Sequence, residues 1–302
     1  MNLQFVMDGT LAGAMIALGA IGVTLTYSVL QFSNFAHGEL ISIGAYITYL
    51  VAAAISATVI GSSEALAVFS FGWNVLLAGG VAMALTGFLA WGLDWLLFAR
   101  LRAKGMAITL VMASFGASMA LRAMLELVFS SRPLYYTQDL QIARAIGAGI
   151  LVTPDQLLLV AITATLVGLL YVMWAHTALG RAMRAVSENP ALAQVCGIDV
   201  PRVVRVTWYI GGALASAAGL LLGLLVQVRP QMGFEMLLPL FAAAILGGIG
   251  SVPGALCGGL IVGLSQAATV QFIGAEWRAG VAFVILLAVL LIRPNGLFGR
   301  RS

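Results

Sequence analysis

Apolar runs about twenty residues long, separated by short polar breaks, recur along the whole chain. Twenty residues of α-helix rise about 30 Å, which matches the hydrocarbon core of a bilayer. Runs of this kind fall at roughly 9–30, 40–60, 73–98, 106–129, 155–175 and 204–228, with a last one near 277–292. Before that last run lies a glycine-rich region, 236–273, in which "GGIGSVPG" (247–254) divides a shorter segment from a longer one. The pattern predicts an all-α polytopic membrane protein with eight or nine transmembrane helices. Region 236–273 either crosses twice or forms a re-entrant or broken segment. Residues 1–302 read as a single transmembrane domain.

Composition supports this reading. The 302 residues are 62% hydrophobic and 9% charged, with a mean hydropathy of +1.06. A soluble domain carries about 25% charged residues, so most of this surface must face something other than water. The net charge of +4 does not indicate nucleic acid, because the basic residues are not gathered into one face. They cluster instead as Arg100, Arg102 and Lys104; as Arg181, Arg184, Arg202 and Arg205; and as Arg293, Arg300 and Arg301, ten of the fifteen in all. By the positive-inside rule these three segments are cytoplasmic, which places the N-terminus outside, the C-terminus inside and residues 31–39 on the cytoplasmic side. "MNLQFVMDGT" lacks the basic n-region of a cleaved signal peptide, so the first run is expected to be retained as a helix.

Helices in lipid associate through small residues, since tails are as apolar as leucine. GxxxG spacings occur at Gly9 and Gly13, at Gly219 and Gly223, and at Gly259 and Gly263. The ladder Gly250, Gly254 and Gly258 is the densest and is expected to mark helix packing.

Catalytic signatures do not emerge. The only lysine, Lys104, is followed by Gly105 and makes no Walker A; HExxH, CxxC and GxSxG do not occur. Two histidines and two distant cysteines suggest neither a metal site nor a disulfide framework. The expectation is a chain that is not an enzyme and binds no cofactor itself.

Two polar interruptions carry the functional signal. In "LQFSNFAHGELISIGAY" (30–46), Asn34, His37 and Glu39 stand between two apolar runs. Ionisable groups at membrane depth tend to face a bundle interior or a water-filled path, which would make these three a translocation path or gate. The other reading is that His37 and Glu39 tie the turn together, or reach the headgroup zone and water. In "HTALGRAMRAVSENPALAQVCGIDVPRVVR" (176–205), two short helices are expected, the first over about 178–187. Asn189 can N-cap the second, with Pro190 at its first position and Gly197 as a left-handed C-cap. Ala191, Leu192 and Val195 then share an apolar face that wants either a partner or a lipid surface. Elsewhere, Arg122 and Glu126 are spaced to pair along one helix. Asp94 is placed to pair or snorkel near Arg100. Trp73, Trp91, Trp95, Trp174 and Trp208 fall mostly near span ends, as interfacial belts do.

"GRAMRAVSENPALAQVCGIDVPR", "FSNFAHGELISIGAY" and "LPLFAAAILGGIGSVPGALCGGLIVG" together resemble the LivH-type permease subunits of branched-chain amino acid ABC importers. The resemblance spans nearly the whole chain. It implies a bacterial inner-membrane permease that forms the translocation path and pairs with a second, LivM-like permease. It also implies two ATPases that use ATP and Mg, and a periplasmic binding protein. The 176–205 loop would be the cytoplasmic coupling segment, through Gly180, Arg181, Ala185, Glu188, Asn189, Pro190, Ala191, Gly197 and Ile198. The loop lacks the leading "EAA" found in other ABC importers. Similar permeases are associated with urea, short amides or other amino acids, so the substrate stays open. An ion-coupled secondary transporter is the competing reading; it would usually show mid-span acidic residues, and spans 9–30 and 155–228 have none.

Overall fold

The computed structural model describes residues 4–58, 64, 69–102, 105, 107–137, 143–147, 150–293 and 295–299. Lys104, Arg300 and Arg301, which belong to the cytoplasmic clusters, lie outside the described residues. Nearly all the rest is helix: α1 (Gln4–Leu30), α2 (Ala36–Thr58), α3 (Trp73–Leu93), α4 (Ala99–Arg102), α5 (Ala107–Phe129), α6 (Pro154–His176), α7 (Ala178–Glu188), α8 (Pro190–Val195), α9 (Val200–Leu225), α10 (Met232–Gly247), α11 (Val252–Phe272) and α12 (Arg278–Ile292). A π turn, Asp94–Phe98, joins α3 to α4 in one 30-residue rod. Eight helices among the described residues are long and apolar enough to cross a membrane; α10, at 16 residues, is a shorter apolar helix.

Region 236–273 therefore resolves into α10 and α11, broken where "GGIGSVPG" predicted. Gly248 and Gly250 take φ of +94° and +90° in that break, a conformation only glycine adopts without strain. Gly250 is thus a turn residue, and a Cβ there would meet nothing closer than Ser28 Cβ at 3.7 Å. The expectation that it packs helices is corrected on that ground. Gly254 and Gly258 do lie at close approach: a Cβ on either would strike the backbone of α10, at Gly247 and Ala243 respectively.

Burial orders the bundle. The most apolar window of α1 is 94% buried, whereas those of α5 and the final span are 17% and 6% buried. A buried apolar helix gains nothing over lipid unless backbones approach closely, and here small residues allow it. On the α1–α11 seam a Cβ at Gly259 would come within 2.6 Å of Ala17 N and Cα, and one at Gly13 within 2.9 Å of Leu260 Cα. Gly44 meets Ser216 across α2–α9, and Gly212 meets Thr86 and Ala90 across α3–α9.

Several non-sequential contacts show which ends lie together. Leu297 N donates to Leu246 O and Phe298 N to Gly247 O, at 2.8 and 3.1 Å. Gln31 Nε2, at the end of α1, reaches Ser187 O in α7. The end of α1, helix α7, the α10–α11 break and the C-terminal segment therefore share one side of the bundle. At the other side, the segment before α6 contains an antiparallel hairpin, β1 (Arg144–Gly147) and β2 (Ile150–Val152), which the hydropathy pattern did not foresee. Gln4 pins it to α1, its amide accepting from Leu151 N at 2.9 Å and donating to Leu151 O at 3.1 Å.

Gly259→Val is expected to lower stability by about 1–3 kcal/mol through overpacking against Ala17, read as a lower unfolding midpoint of the full chain in detergent. Gly116→Ala, where a Cβ would meet nothing within 4 Å, should leave that midpoint unchanged or raise it.

Candidate functional site

Helix α2 begins inside the bundle. Asn34 caps it, Oδ1 accepting from Ala36 N at 3.1 Å, so Asn34 does tie the turn. His37 and Glu39 do not; both lie in the first turn of α2 and are buried. The His37 ring sits against α1, where a Cβ on Gly22 would come within 2.8 Å of it. Gly22 is eight residues above the end of α1, about 12 Å at helical rise. His37 therefore lies well inside, and the reading that placed it at an interface does not hold.

Helix α10 begins at the same depth. Along α2, Tyr136 donates to Ala45 O at 2.9 Å, and Ser42 Oγ donates to Pro230 O at 3.0 Å and accepts from Gly233 N at 2.9 Å. Gly233 then abuts Gly38, so the connection after α9 runs down along α2 before α10 starts. Two helix N-termini, each with a positive dipole end, thus meet within the bundle. Such interrupted helices are tolerated at depth only where protein or water satisfies their backbone.

Glu39 points from this junction to α5. Its Oε1 accepts from Arg122 Nη2 at 2.8 Å, Arg122 Nε at 3.2 Å and Ser118 Oγ at 3.1 Å. Arg122 is therefore paired with Glu39 across two helices; the expected Arg122–Glu126 pair is corrected. The reason is burial. Glu39 is fully inaccessible, and a carboxylate at that depth without a cation would be far more costly than an unpaired Glu126 at the flank. Glu39 Oε2 has no hydrogen-bond partner among the described residues. Arg122 lies 15 residues into α5, is itself 21% exposed, and stacks its guanidinium 4.0 Å from the Phe234 ring.

Aromatic side chains gather beside this pair. Phe35 lies between Phe115 of α5 and Phe241 of α10, at 6.2 and 5.4 Å between ring centroids. Phe115, Met119 and Phe234 are partly exposed on the open side. A buried ion pair thus has aromatic and thioether side chains beside it on the open side. Ser118 and Phe234 were missed by sequence reading, and Arg122 was given the wrong partner, although Ser114, Ser118 and Arg122 recur every four residues, a legible polar stripe.

The 176–205 loop forms the two expected helices. Asn189 Oδ1 accepts from Leu192 N at 3.0 Å, Pro190 opens α8, and Gly197 has φ of +85°. Ile198 N returns to Ala193 O at 3.0 Å, which closes the C-cap. Gly180 lies tight against the end of α6, where a Cβ would strike the carbonyls of Met173 and Trp174. Ala185 O accepts from Asn189 N at 3.1 Å. Arg181, Glu188, Pro190 and Ala191 are exposed. On α8, Ala193 faces inward while Leu192 and Val195 are 60% and 85% exposed. Met183 and Val186 seat α7 in the bundle. Gln31 takes φ of +57°, the left-handed cap position at the end of α1, and its amide bonds Ser28 O and Ser187 O. That residue links the 176–205 elbow to the end of α1, four positions before Phe35.

Asp94 pairs with Arg102 at 2.8 Å and not with Arg100, because the wider π turn carries Arg102 back over it.

Comparison with known proteins decides the family. Residues 5–290 match the family described as "Branched-chain amino acid transport system / permease component". The chain belongs to this family. It is 33% identical over 304 residues to the high-affinity branched-chain amino acid transport system permease protein LivH of Escherichia coli (strain K12), covering 99% of this chain and 96% of that one. It is 31% identical to the permease protein BraD of Pseudomonas aeruginosa, with the same coverage. A shorter match, 34% over 125 residues and 38% of this chain, is to the ribose import permease protein RbsC of Escherichia coli (strain K12). No solved structure matches.

Glu39→Gln is expected to destabilise the fold by about 3 kcal/mol, since it leaves Arg122 without its counter-charge. Glu39→Gln/Arg122→Gln should recover more than about 1 kcal/mol of that loss, the coupling of a contacting pair. Unfolding midpoints of the two single variants and the double variant measure it; additive effects would show that the two charges are not coupled.

Proposed function

We propose that this chain is the permease subunit of an ABC importer for branched-chain amino acids, and that it forms half of the translocation path without hydrolysing ATP itself. One observation carries the reading: the interior ion pair where α2, α5 and α10 meet is joined, through Gln31 and Ser187, to a two-helix elbow with an exposed apolar face. The path is taken to be a groove beside that pair.

Glu39 and Arg122 hold the start of α2 against α5, so movement of either helix opens or closes the groove at Phe35. His37, wedged against Gly22, couples the same turn to α1. Asn34, His37 and Glu39 thus act in the gate by holding α2 at depth, not by contacting solute. An apolar amino-acid side chain passes Phe115, Met119 and Phe234 with weak contacts, as conduction requires.

Leu192 and Val195 of α8 dock on an ATPase subunit, and Gly180, Arg181, Ala185 and Glu188 set the position of α7 beneath α1. The capped geometry of Asn189, Pro190, Gly197 and Ile198 keeps α8 a rigid peg. ATP and Mg are then used by two partner ATPases, and a binding protein delivers the solute. A second permease covers the open side of the groove. The basic clusters put the elbow and C-terminus in the cytoplasm and the N-terminus in the periplasm of an inner membrane.

Vesicles carrying this chain with its permease, ATPase and binding-protein partners should take up leucine, isoleucine or valine only with ATP. Uphill uptake by this chain alone under an ion gradient would overturn the reading. Gly197→Arg, or deletion of 189–196, should leave a membrane-inserted chain whose co-purification with ATPase subunits falls at least ~10-fold, an interface loss of about 1.4 kcal/mol or more.

A further inference from the structure

Away from this junction, an open surface cavity of about 540 Å³ lies between α3 and α9, lined by Trp91, Asp199, Arg202, Arg205, Val206 and Tyr209. Residues 202, 205, 206 and 209 follow the i, i+3, i+4, i+7 spacing, so they present one face of α9. From α3, Trp91 lines the other side, and Phe88 beside it bridges the two helices, contacting Trp91 at 6.4 Å and Tyr209 at 5.1 Å between centroids. Among the described residues neither Arg202 nor Arg205 forms an ion pair. The one acid present, Asp199, caps α9 by accepting from Arg202 N at 3.0 Å. Two guanidinium groups and one carboxylate leave the cavity formally positive.

Its depth is set by tryptophans. Trp73 and Trp91 stand 18 residues apart on α3, about 27 Å at helical rise, close to the ~30 Å hydrocarbon thickness. Both are exposed, at 60% and 39%, as residues of the two interfacial belts are. Trp91 and Trp95, 39% and 65% exposed on the same rod, thus bracket one edge of the hydrocarbon. Gly212 packs on Ala90 and Thr86, while Leu220 packs on Gly79, so α9 runs antiparallel to α3. From Gly212 the chain passes Tyr209 to Arg205 and Arg202 in the direction that leaves the hydrocarbon. The arginines therefore lie just outside Trp91, at the level of lipid phosphates. Above the cavity, Leu77, Val81, Leu85 and Phe88 form an exposed apolar stripe along α3 towards Trp73.

We propose that this cavity binds the phosphodiester of an anionic phospholipid, held by the planar forks of Arg202 and Arg205, with an acyl chain along the α3 stripe. Arginine suits phosphate because its paired N–H groups match two oxygens at once. The apolar stripe continuous with the cavity favours a lipid over a free anion or an acidic protein surface. The site would tie the base of α9, next to the α8 elbow, to the charge of the inner leaflet.

The test is native mass spectrometry of the full chain offered phosphatidylglycerol and phosphatidylcholine, with an Arg202→Ala/Arg205→Ala variant. Wild type should retain phosphatidylglycerol at least ~5-fold over phosphatidylcholine, and the double variant should retain both equally. Arg100→Ala/Arg293→Ala removes two arginines on the same side but outside the cavity, and should keep the preference. A preference that survives Arg202→Ala/Arg205→Ala, or that Arg100→Ala/Arg293→Ala abolishes, overturns the proposal. So does displacement of the lipid by millimolar inorganic phosphate, which would make this a free-anion site. Loss of the preference once the ATPase subunits are bound would place a protein surface there and overturn it as well.

Discussion

A carboxylate with no access to solvent, held by one guanidinium from another helix, is the constraint around which this bundle is organised. Glu39 cannot stay charged in the interior unless Arg122 stands opposite it, and Arg122 cannot face lipid. The pair therefore dictates that the start of α2, the middle of α5 and the N-terminus of α10 come together on one side of α1. It also explains why α5, so exposed elsewhere, buries Ser114 and Ser118. Ser118 and Arg122 of that stripe find their partner in Glu39, and Ser114 accepts from Phe35 N.

Close backbone approach makes that junction feasible. Gly38 and Gly233 let the starts of two helices touch, and Gly22 leaves the space the His37 ring fills. On the α1–α11 seam, Gly13, Gly259 and Gly263 bring the backbones near enough for dispersion to drive association where the hydrophobic effect does not act. Gly250, by contrast, is needed for its positive φ and packs against little. Glycines that look alike in a GxxxG ladder thus serve different physical ends.

The elbow at 176–205 shows how a local motif joins a distant one. Its caps are built from adjacent residues and would form in almost any context. Its attachment is different: Met183 and Val186 seat it in the bundle, and Gln31, in a left-handed conformation at the end of α1, bonds both its own helix and Ser187. A push on α8 therefore arrives within a few residues of Phe35, on which Phe115 of α5 and Phe241 of α10 both pack.

The sequence alone determined whatever depends on neighbours along the chain. Hydropathy located the spans and the eight-or-nine count, and the glycines of 247–254 located the break; cap chemistry at Asn189, Pro190 and Gly197 placed α8; and long motifs revealed the family. Tertiary structure decided what depends on distance through space. That Arg122 pairs with Glu39 eighty-three positions away and not with Glu126 four away, that His37 and Glu39 lie deep, and that Phe234 stacks on Arg122 all follow from where α2 and α10 begin. Helical spacing names the groups a residue could meet on its own helix. Only the packing of separate helices sets how much water each group has lost, and that loss selects which charge must be answered.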